Sequence, residues 1–286
     1  MTATVSTISA AITATENLLH YGFMRRALIA ALLVGLAAPS VGIFLVQRRL
    51  ALIGDGLGHI AVTGVALGLV LDRAPVPIAL ITAVTGAVGV ELIRARGEQS
   101  AEIALAILFY GGIGGGVVLA SQAPSGSRNL TQYLFGSIAT TSSGDLTTFA
   151  VLAAVVVCTA VVLGGALFSV SNDDEFARAS GLPVMRLNLL LAALSAFTVV
   201  VSMRIVGVLL VSALMVVPVA AAQLVARSFR STFVIGLGIG VVVSLSGVIV
   251  SFYADTPPGG TIVLFAIGVF AVLLVVVNVG RIVHRR

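Results

Sequence analysis

The chain has 286 residues, of which 59% are hydrophobic and only 9% are charged. Because charged residues make up about a quarter of an ordinary soluble domain, this composition excludes a soluble globular protein and predicts a polytopic membrane protein. The net charge of +5 comes from arginines near the ends of apolar segments. The positive-inside rule explains that placement, so the charge does not indicate a nucleic-acid-binding surface.

The residue types that are missing or rare also limit the chemistry. The sequence contains no lysine and a single cysteine, Cys158. A Walker A loop places a lysine on the phosphates of ATP, so this chain cannot carry one, and any ATP that it depends on must be hydrolysed by a separate chain. One cysteine allows neither a disulfide framework nor a thiolate metal cluster. A bound metal would therefore have oxygen and nitrogen ligands.

The N-terminal part predicts an exposed tail followed by the first membrane span. Residues 1–24 lack a basic stretch ahead of the first apolar segment and bear little resemblance to a cleaved signal peptide. The first span is predicted at residues 27–46, between two arginine pairs. Local charge therefore does not orient this span.

The second predicted span, residues 50–71, carries Asp55 and His59. On a helix, residues four apart share a face with Cβ atoms about 5–6 Å apart, so a carboxylate and an imidazole can converge on one ion. Ionisable residues inside a membrane segment are costly, and their presence is a functional hypothesis by default. Gly54, Gly56 and Gly58 would allow another helix to approach closely.

A purely structural role is the alternative for this pair. Asp55 could form an interfacial ion pair with the Arg48-Arg49 doublet, and His59 could simply hydrogen-bond a neighbouring helix. The i, i+4 spacing and the glycines favour a site.

Seven further apolar segments bring the predicted number of spans to nine. If the stretch around Met203 and Arg204 is a single kinked or re-entrant element, the number becomes eight. Glycines at 111–116 predict a helix that packs very closely or breaks, and Glu102 is either a site acid or a carboxylate at a helix N-terminus. The seven segments are residues 78–93, 102–120, 146–170, 187–203, 205–226, 232–253 and 261–279.

These segments predict an all-α transmembrane bundle of about eight to nine spans that forms one domain over residues 1–286. The arginines at the C-terminal end place that terminus in the cytoplasm. A charged interruption at residues 171–186 predicts a short amphipathic helix, capped by Asn172 or Asp173 and ended by Gly181 and Pro183. The alternative for this interruption is a solvated loop.

Several passages together resemble the integral-membrane permease subunit of bacterial ABC-type zinc and manganese uptake systems, the ABC-3 family, and most closely a zinc permease. The resemblance covers nearly the whole chain, and the order and spacing of the passages make it specific. The passages are RRLALIGDGLGHIAVTGVALG from Arg48, QYLFGSIATTSSGDL from Gln132, DDEFARASGLP from Asp173, MRIVGVLLVSALMVVPVAAA from Met203 and DTPPGGTIVL from Asp255.

The resemblance implies a multi-pass permease of the bacterial inner or plasma membrane, with the fold of an ABC importer permease. Such a permease is not an enzyme and has no permanently bound cofactor. It works as a homodimer with two copies of a cytoplasmic ATP-binding subunit and an extracellular metal-binding solute-binding protein. It also contacts membrane lipid, and no nucleic-acid partner is expected. The expected cargo is Zn²⁺, with Mn²⁺ or Fe²⁺ as alternatives.

The resemblance also implies roles for individual residues. Asp55 and His59 match the Asp-x-x-x-His pair that is thought to contact the ion in this family. The segment at residues 171–186 is similar to the cytoplasmic coupling helix that docks on the ATPase. Glu175, Ala177 and Gly181 stand at the positions of its docking pattern.

The sequence departs from the family pattern at two positions. Gly58 stands where serine or alanine is frequent, and Ser137 stands where an acidic residue is common. The second difference leaves Asp145 as the nearest carboxylate in that loop.

Two other classes of protein remain as alternatives. An ion-driven secondary transporter would carry more paired acids near the membrane midplane and would need no ATPase, so the coupling-helix segment argues against it. A metal-dependent intramembrane protease is disfavoured, because the sequence has no HExxH motif and two of its three histidines lie near the chain ends.

Overall fold

The structure is a computed structural model, described here for residues 21–123, 133–136, 143–204 and 206–283. Within these ranges the regular secondary structure is helical, which confirms the all-α prediction. Residues 1–20 of the predicted tail lie outside the described residues. The helices are α1 Gly22–Gln47, α2 Ile53–Val70, α3 Pro75–Arg94, α4 Glu98–Gln122, α5 Ser143–Val162, α6 Gly164–Asn172, α7 Asp174–Ala179, α8 Val184–Ser202, α9 Val208–Val225, α10 Phe229–Ala254 and α11 Pro258–Val283.

The described helices agree with the predicted number of spans. Seven are long and apolar enough to cross a membrane: α1 to α4, α8, α10 and α11. The predicted fifth span is instead a broken element, because α5 and α6 meet at an angle of 70°. Counting this pair as one span gives eight, and the shorter apolar helix α9 accounts for the ninth predicted segment.

The interruption between α8 and α9 lies at the stretch around Met203 and Arg204. Gly207, which precedes α9, has a φ of +87°, and a Cβ added there would lie 2.5 Å from the carbonyl carbon of Phe135. Both the backbone conformation and the close contact require glycine. The chain therefore turns sharply here before α9 begins.

Helix α1 is the central element of the bundle. It begins five residues earlier than the predicted span, and the ring of Phe23 packs against Phe252 of α10 at a centroid distance of 6.1 Å. Glycines allow its neighbours to approach closely. A Cβ on Gly35 would lie 2.8 Å from the carbonyl oxygen of Gly240 in α10, and one on Gly42 would collide with the backbone of α9.

Helix α2 lies between α3 and α4 and also contacts α8 and α9. Most of its side chains are buried, whereas α11 is largely exposed. An apolar helix that is exposed in this way is suited to contact with lipid. The fold thus places the helix that carries Asp55 and His59 inside the bundle.

Candidate functional site

Asp55 and His59 lie in the first two turns of α2, and both side chains are half-buried. Their i, i+4 spacing on a continuous helix puts them on one face, as predicted. The hydroxyl of Ser212 on α9 donates a hydrogen bond to Oδ1 of Asp55 over 3.4 Å. The imidazole of His59 meets the ring of Phe109 on α4 edge-on, at a centroid distance of 4.5 Å. The pair therefore faces two neighbouring helices.

If Asp55 had only a structural role, it was expected to form an ion pair with the Arg48-Arg49 doublet. The salt bridge that Arg48 forms instead joins its Nη2 to Oδ2 of Asp174 over 3.6 Å, and the Arg48 side chain is only 5% exposed. Asp174 lies on α7, far along the chain. The hydrogen bond to Ser212 leaves lone pairs of the Asp55 carboxylate open to a cation.

The three alternating glycines of α2 each face a neighbouring helix. A Cβ on Gly54 would lie 3.4 Å from Cβ of Ser212, and one on Gly58 would lie 3.2 Å from the carbonyl oxygen of Val208, both on α9. A Cβ on Gly56 would meet a leucine of α4 at 2.8 Å. Gly58 therefore lets α9 lie directly against this part of α2.

The glycine-rich run of α4 packs closely rather than breaking, since α4 is continuous. A Cβ on Gly112 would lie 2.7 Å from the backbone carbonyl carbon of His59. The hydroxyl of Thr63 donates a hydrogen bond to the carbonyl oxygen of Gly112 over 2.6 Å. Gly114, in contrast, faces open space. The backbones of α2 and α4 therefore come into contact at His59.

Within one chain the candidate metal ligands are few. Among the described residues, His, Cys, Asp and Glu side chains form no group of three or more that could hold a metal ion. Glu102 lies a turn inside α4 and lines a cavity with Arg49, so it does not cap the helix. Ser137 lies outside the described residues, as does the side chain of Asp145. Asp55 and His59 therefore remain the candidate ligand pair.

The segment at residues 171–186 contains the expected short helix, α7. The carboxylate of Asp173 caps it by accepting hydrogen bonds from the backbone N–H groups of Glu175 and Phe176, at 3.0 and 2.9 Å. Gly181 ends it with a φ of +78°. Glu175 and Gly181 are exposed, but Ala177 is fully buried. Ala177 therefore packs the helix against the protein and does not present a surface to a partner.

Phe176 is the residue of this segment that sequence reasoning missed. Its side chain is 63% exposed although it is a large aromatic group at the end of the bundle. The available signal was an isolated aromatic residue within a run of charged ones. Exposed aromatic residues of this kind are typical anchors of protein interfaces.

A charge cluster, buried at Glu91 and Arg48 and partly exposed at Asp174, attaches α7 to the membrane helices. Glu91 on α3 is 2% exposed, and Arg94 holds both of its carboxylate oxygens, at 2.9 and 3.1 Å. Glu91 also interacts electrostatically with Arg48 and Asp174. These four residues carry two positive and two negative charges, so the cluster is balanced. It joins α7 to α1 and α3.

The family model described as the ABC 3 transport family matches residues 20–277. The chain is 28% identical to the manganese transport system membrane protein MntC of Halalkalibacterium halodurans, covering 90% of this chain and 88% of the relative. It is 27% identical to the high-affinity zinc uptake system membrane protein ZnuB of Haemophilus influenzae, covering 87% and 95%. Its structure is similar to PsaBC from Streptococcus pneumoniae solved with a Fab, with a TM-score of 0.82, 27% identity and coverage of 92% and 95%.

The contact between Gly112 and His59 generates a stability prediction. Gly112→Ala forces the α2 and α4 backbones apart and should lower the free energy of unfolding by about 1–3 kcal/mol, the usual cost of overpacking. Gly114→Ala is the matched control, because it lies in the same run but faces open space. Thermal unfolding of both purified variants in detergent tests this expectation, and equal stability of the two would contradict it.

Proposed function

The chain belongs to the ABC 3 transport family, and from this premise we propose that it is the permease subunit of an ATP-driven importer that carries Zn²⁺ into the cytoplasm. Family membership makes it a multi-pass membrane permease for metal transport. The proposal of zinc import rests on the Asp55/His59 pair, which lies half-buried on one face of α2 beside Ser212.

The chemistry of the pair suits a first-row transition metal. Imidazole nitrogen and carboxylate oxygen are common zinc ligands, and the carboxylate also offsets part of the ion's charge. Two ligands are too few for tight binding by one chain. A symmetric homodimer would bring two such pairs together and supply four ligands. A site divided between subunits can bind an ion and release it when the subunits move.

Zinc is the preferred cargo in this proposal because imidazole suits zinc better than it suits manganese, for which oxygen ligands are typical. The related proteins are named for both metals, zinc in Haemophilus influenzae and manganese in Halalkalibacterium halodurans. Mn²⁺ and Fe²⁺ are the alternative cargoes for the same ligand pair.

The proposed partners follow from what the chain lacks and from α7. The sequence has no lysine for a Walker A loop, so a separate ATP-binding subunit, in two copies, hydrolyses ATP. An extracellular solute-binding protein delivers the metal. We infer that Glu175, Phe176 and Gly181 form the surface on which the ATPase docks, while Ala177 packs α7 inward. The salt bridge between the buried Arg48 and the partly exposed Asp174 would transmit movement of α7 to the membrane helices.

An uptake experiment tests the proposed site. In vesicles that contain the permease, its ATPase and its binding protein, Asp55→Asn and His59→Ala should each lower ATP-dependent uptake of radioactive zinc by about tenfold or more, since each removes a metal contact. Ser212→Ala should lower it less, by about threefold, the typical worth of one hydrogen bond. Unlabelled manganese added as a competitor measures the metal preference.

Asp72→Asn is the matched control, because Asp72 is an exposed carboxylate just beyond the other end of α2. It should leave zinc uptake unchanged. Full uptake by the Asp55 and His59 variants would refute the site. Uptake that needs no ATP would instead favour the ion-driven secondary transporter.

A binding experiment tests the docking surface on α7. Phe176→Ala should weaken binding of the purified ATPase subunit by about tenfold or more, because an exposed aromatic anchor contributes about 2 kcal/mol or more to an interface. Phe265→Ala is the control, since Phe265 is partly exposed on the membrane helix α11. Unchanged ATPase affinity in the Phe176 variant would show that α7 does not dock through this residue.

A further inference from the structure

Two cavities follow one another along the groove between α2 and α4. The first has a volume of about 360 Å³ and is lined by His59 and by α4 residues from Gly112 to Ala120. The second has a volume of about 480 Å³ and is lined by Ile53 and by α4 residues as far as Tyr110. The lining residues therefore change from one cavity to the other between positions 110 and 112 of α4.

The two cavities lie toward opposite sides of the membrane. Arg94 lines the second cavity and Arg96 follows it just after α3, and arginines clustered at a helix end mark the cytoplasmic side. This is also the end of the bundle that carries α7, through the Arg48–Asp174 salt bridge. The first cavity continues along α4 in the opposite direction, so it faces the extracellular side.

The ring contact between His59 and Phe109 stands between these cavities. His59 lines the extracellular cavity, Phe109 lines the cytoplasmic cavity, and their ring centroids are 4.5 Å apart at an interplanar angle of 65°. Gly112 follows Phe109 by one helical turn and lies against the backbone of His59. This close backbone contact keeps the two rings together.

We propose that Phe109 is the barrier residue of the transport pathway, closing the route from His59 to the cytoplasmic cavity. Its ring offers no ligand to a divalent cation, and an ion loses its hydration on entering an apolar passage without compensation. An ion held at His59 therefore reaches the cytoplasmic cavity only when the Phe109 ring moves aside. Movement of α4 relative to α2 would open this contact.

The inference rests on the proposed function, because a barrier residue presupposes a transport pathway. Its test, however, does not require transport. The permease is assembled with its ATPase in membranes without ATP, in a Cys158→Ser background that removes the single native thiol. Ile113→Cys reports on the extracellular cavity and Ala106→Cys on the cytoplasmic one, because these residues line the two cavities. A membrane-impermeant thiol reagent is added from the extracellular side.

With Phe109 present, the reagent should label the Ile113→Cys protein but not the Ala106→Cys protein. Adding Phe109→Ala should raise the labelling rate of Ala106→Cys by about tenfold or more. A modest fall in the activation free energy for entry of the reagent gives an increase of this size. Phe109→Tyr should restore protection because it keeps the ring. Tyr110→Ala is the matched control, since it removes the adjacent aromatic ring, which lines the cytoplasmic cavity.

Labelling of Ile113→Cys in the Phe109→Ala protein verifies that the extracellular cavity is intact. If the cavity is disrupted, Phe109→Leu is used in place of Phe109→Ala. Continued protection of Ala106→Cys without the aromatic ring would overturn the proposal. Equal labelling in the Tyr110→Ala control would also overturn it. Failure of zinc uptake in the wild-type transporter would refute the proposed cargo, while the labelling pattern would still report on the barrier.

Discussion

The close contact of α2 with its neighbours is the constraint on which the rest of the structure depends. Gly54 and Gly58 let α9 lie against one side of α2, and Gly112 lets the α4 backbone reach His59. In a membrane, lipid competes equally for apolar surfaces, so helices associate through close packing of small residues. The same contacts that stabilise the bundle place Ser212 beside Asp55 and Phe109 beside His59.

The charged residues near α2 fall into two groups, the Asp55/His59 pair and the cluster that contains Arg48. Arg48 is buried near the start of α2, but it pairs with Asp174, and Glu91 is held by Arg94. A buried charge is tolerated when it is paired and costly when its partner is removed. This cluster places two arginines beside two acids at the end of the bundle that carries α7. Arg48 therefore does not pair with Asp55, the carboxylate proposed above as a metal ligand.

The two proposed functional regions are connected through short elements. Arg48 follows α1 directly and lies within a few residues of the start of α2, while its partner Asp174 belongs to α7. A shift of α7 would act on this end of α2 through this charge pair. The barrier formed by His59 and Phe109 lies further along the same helix. The proposed docking surface and the proposed barrier are thus connected through α2.

The sequence by itself determined the helical membrane fold, the Asp55/His59 pair and the short helix α7, because hydropathy, i, i+4 spacing and capping are local properties of the chain. The tertiary structure decided the features that depend on contacts between residues distant in the sequence. It assigned Arg48 to Asp174, brought Ser212 and Phe109 to the site, turned Ala177 inward and broke the fifth span. None of these contacts follows from periodicity, since each depends on which faces of distant helices meet.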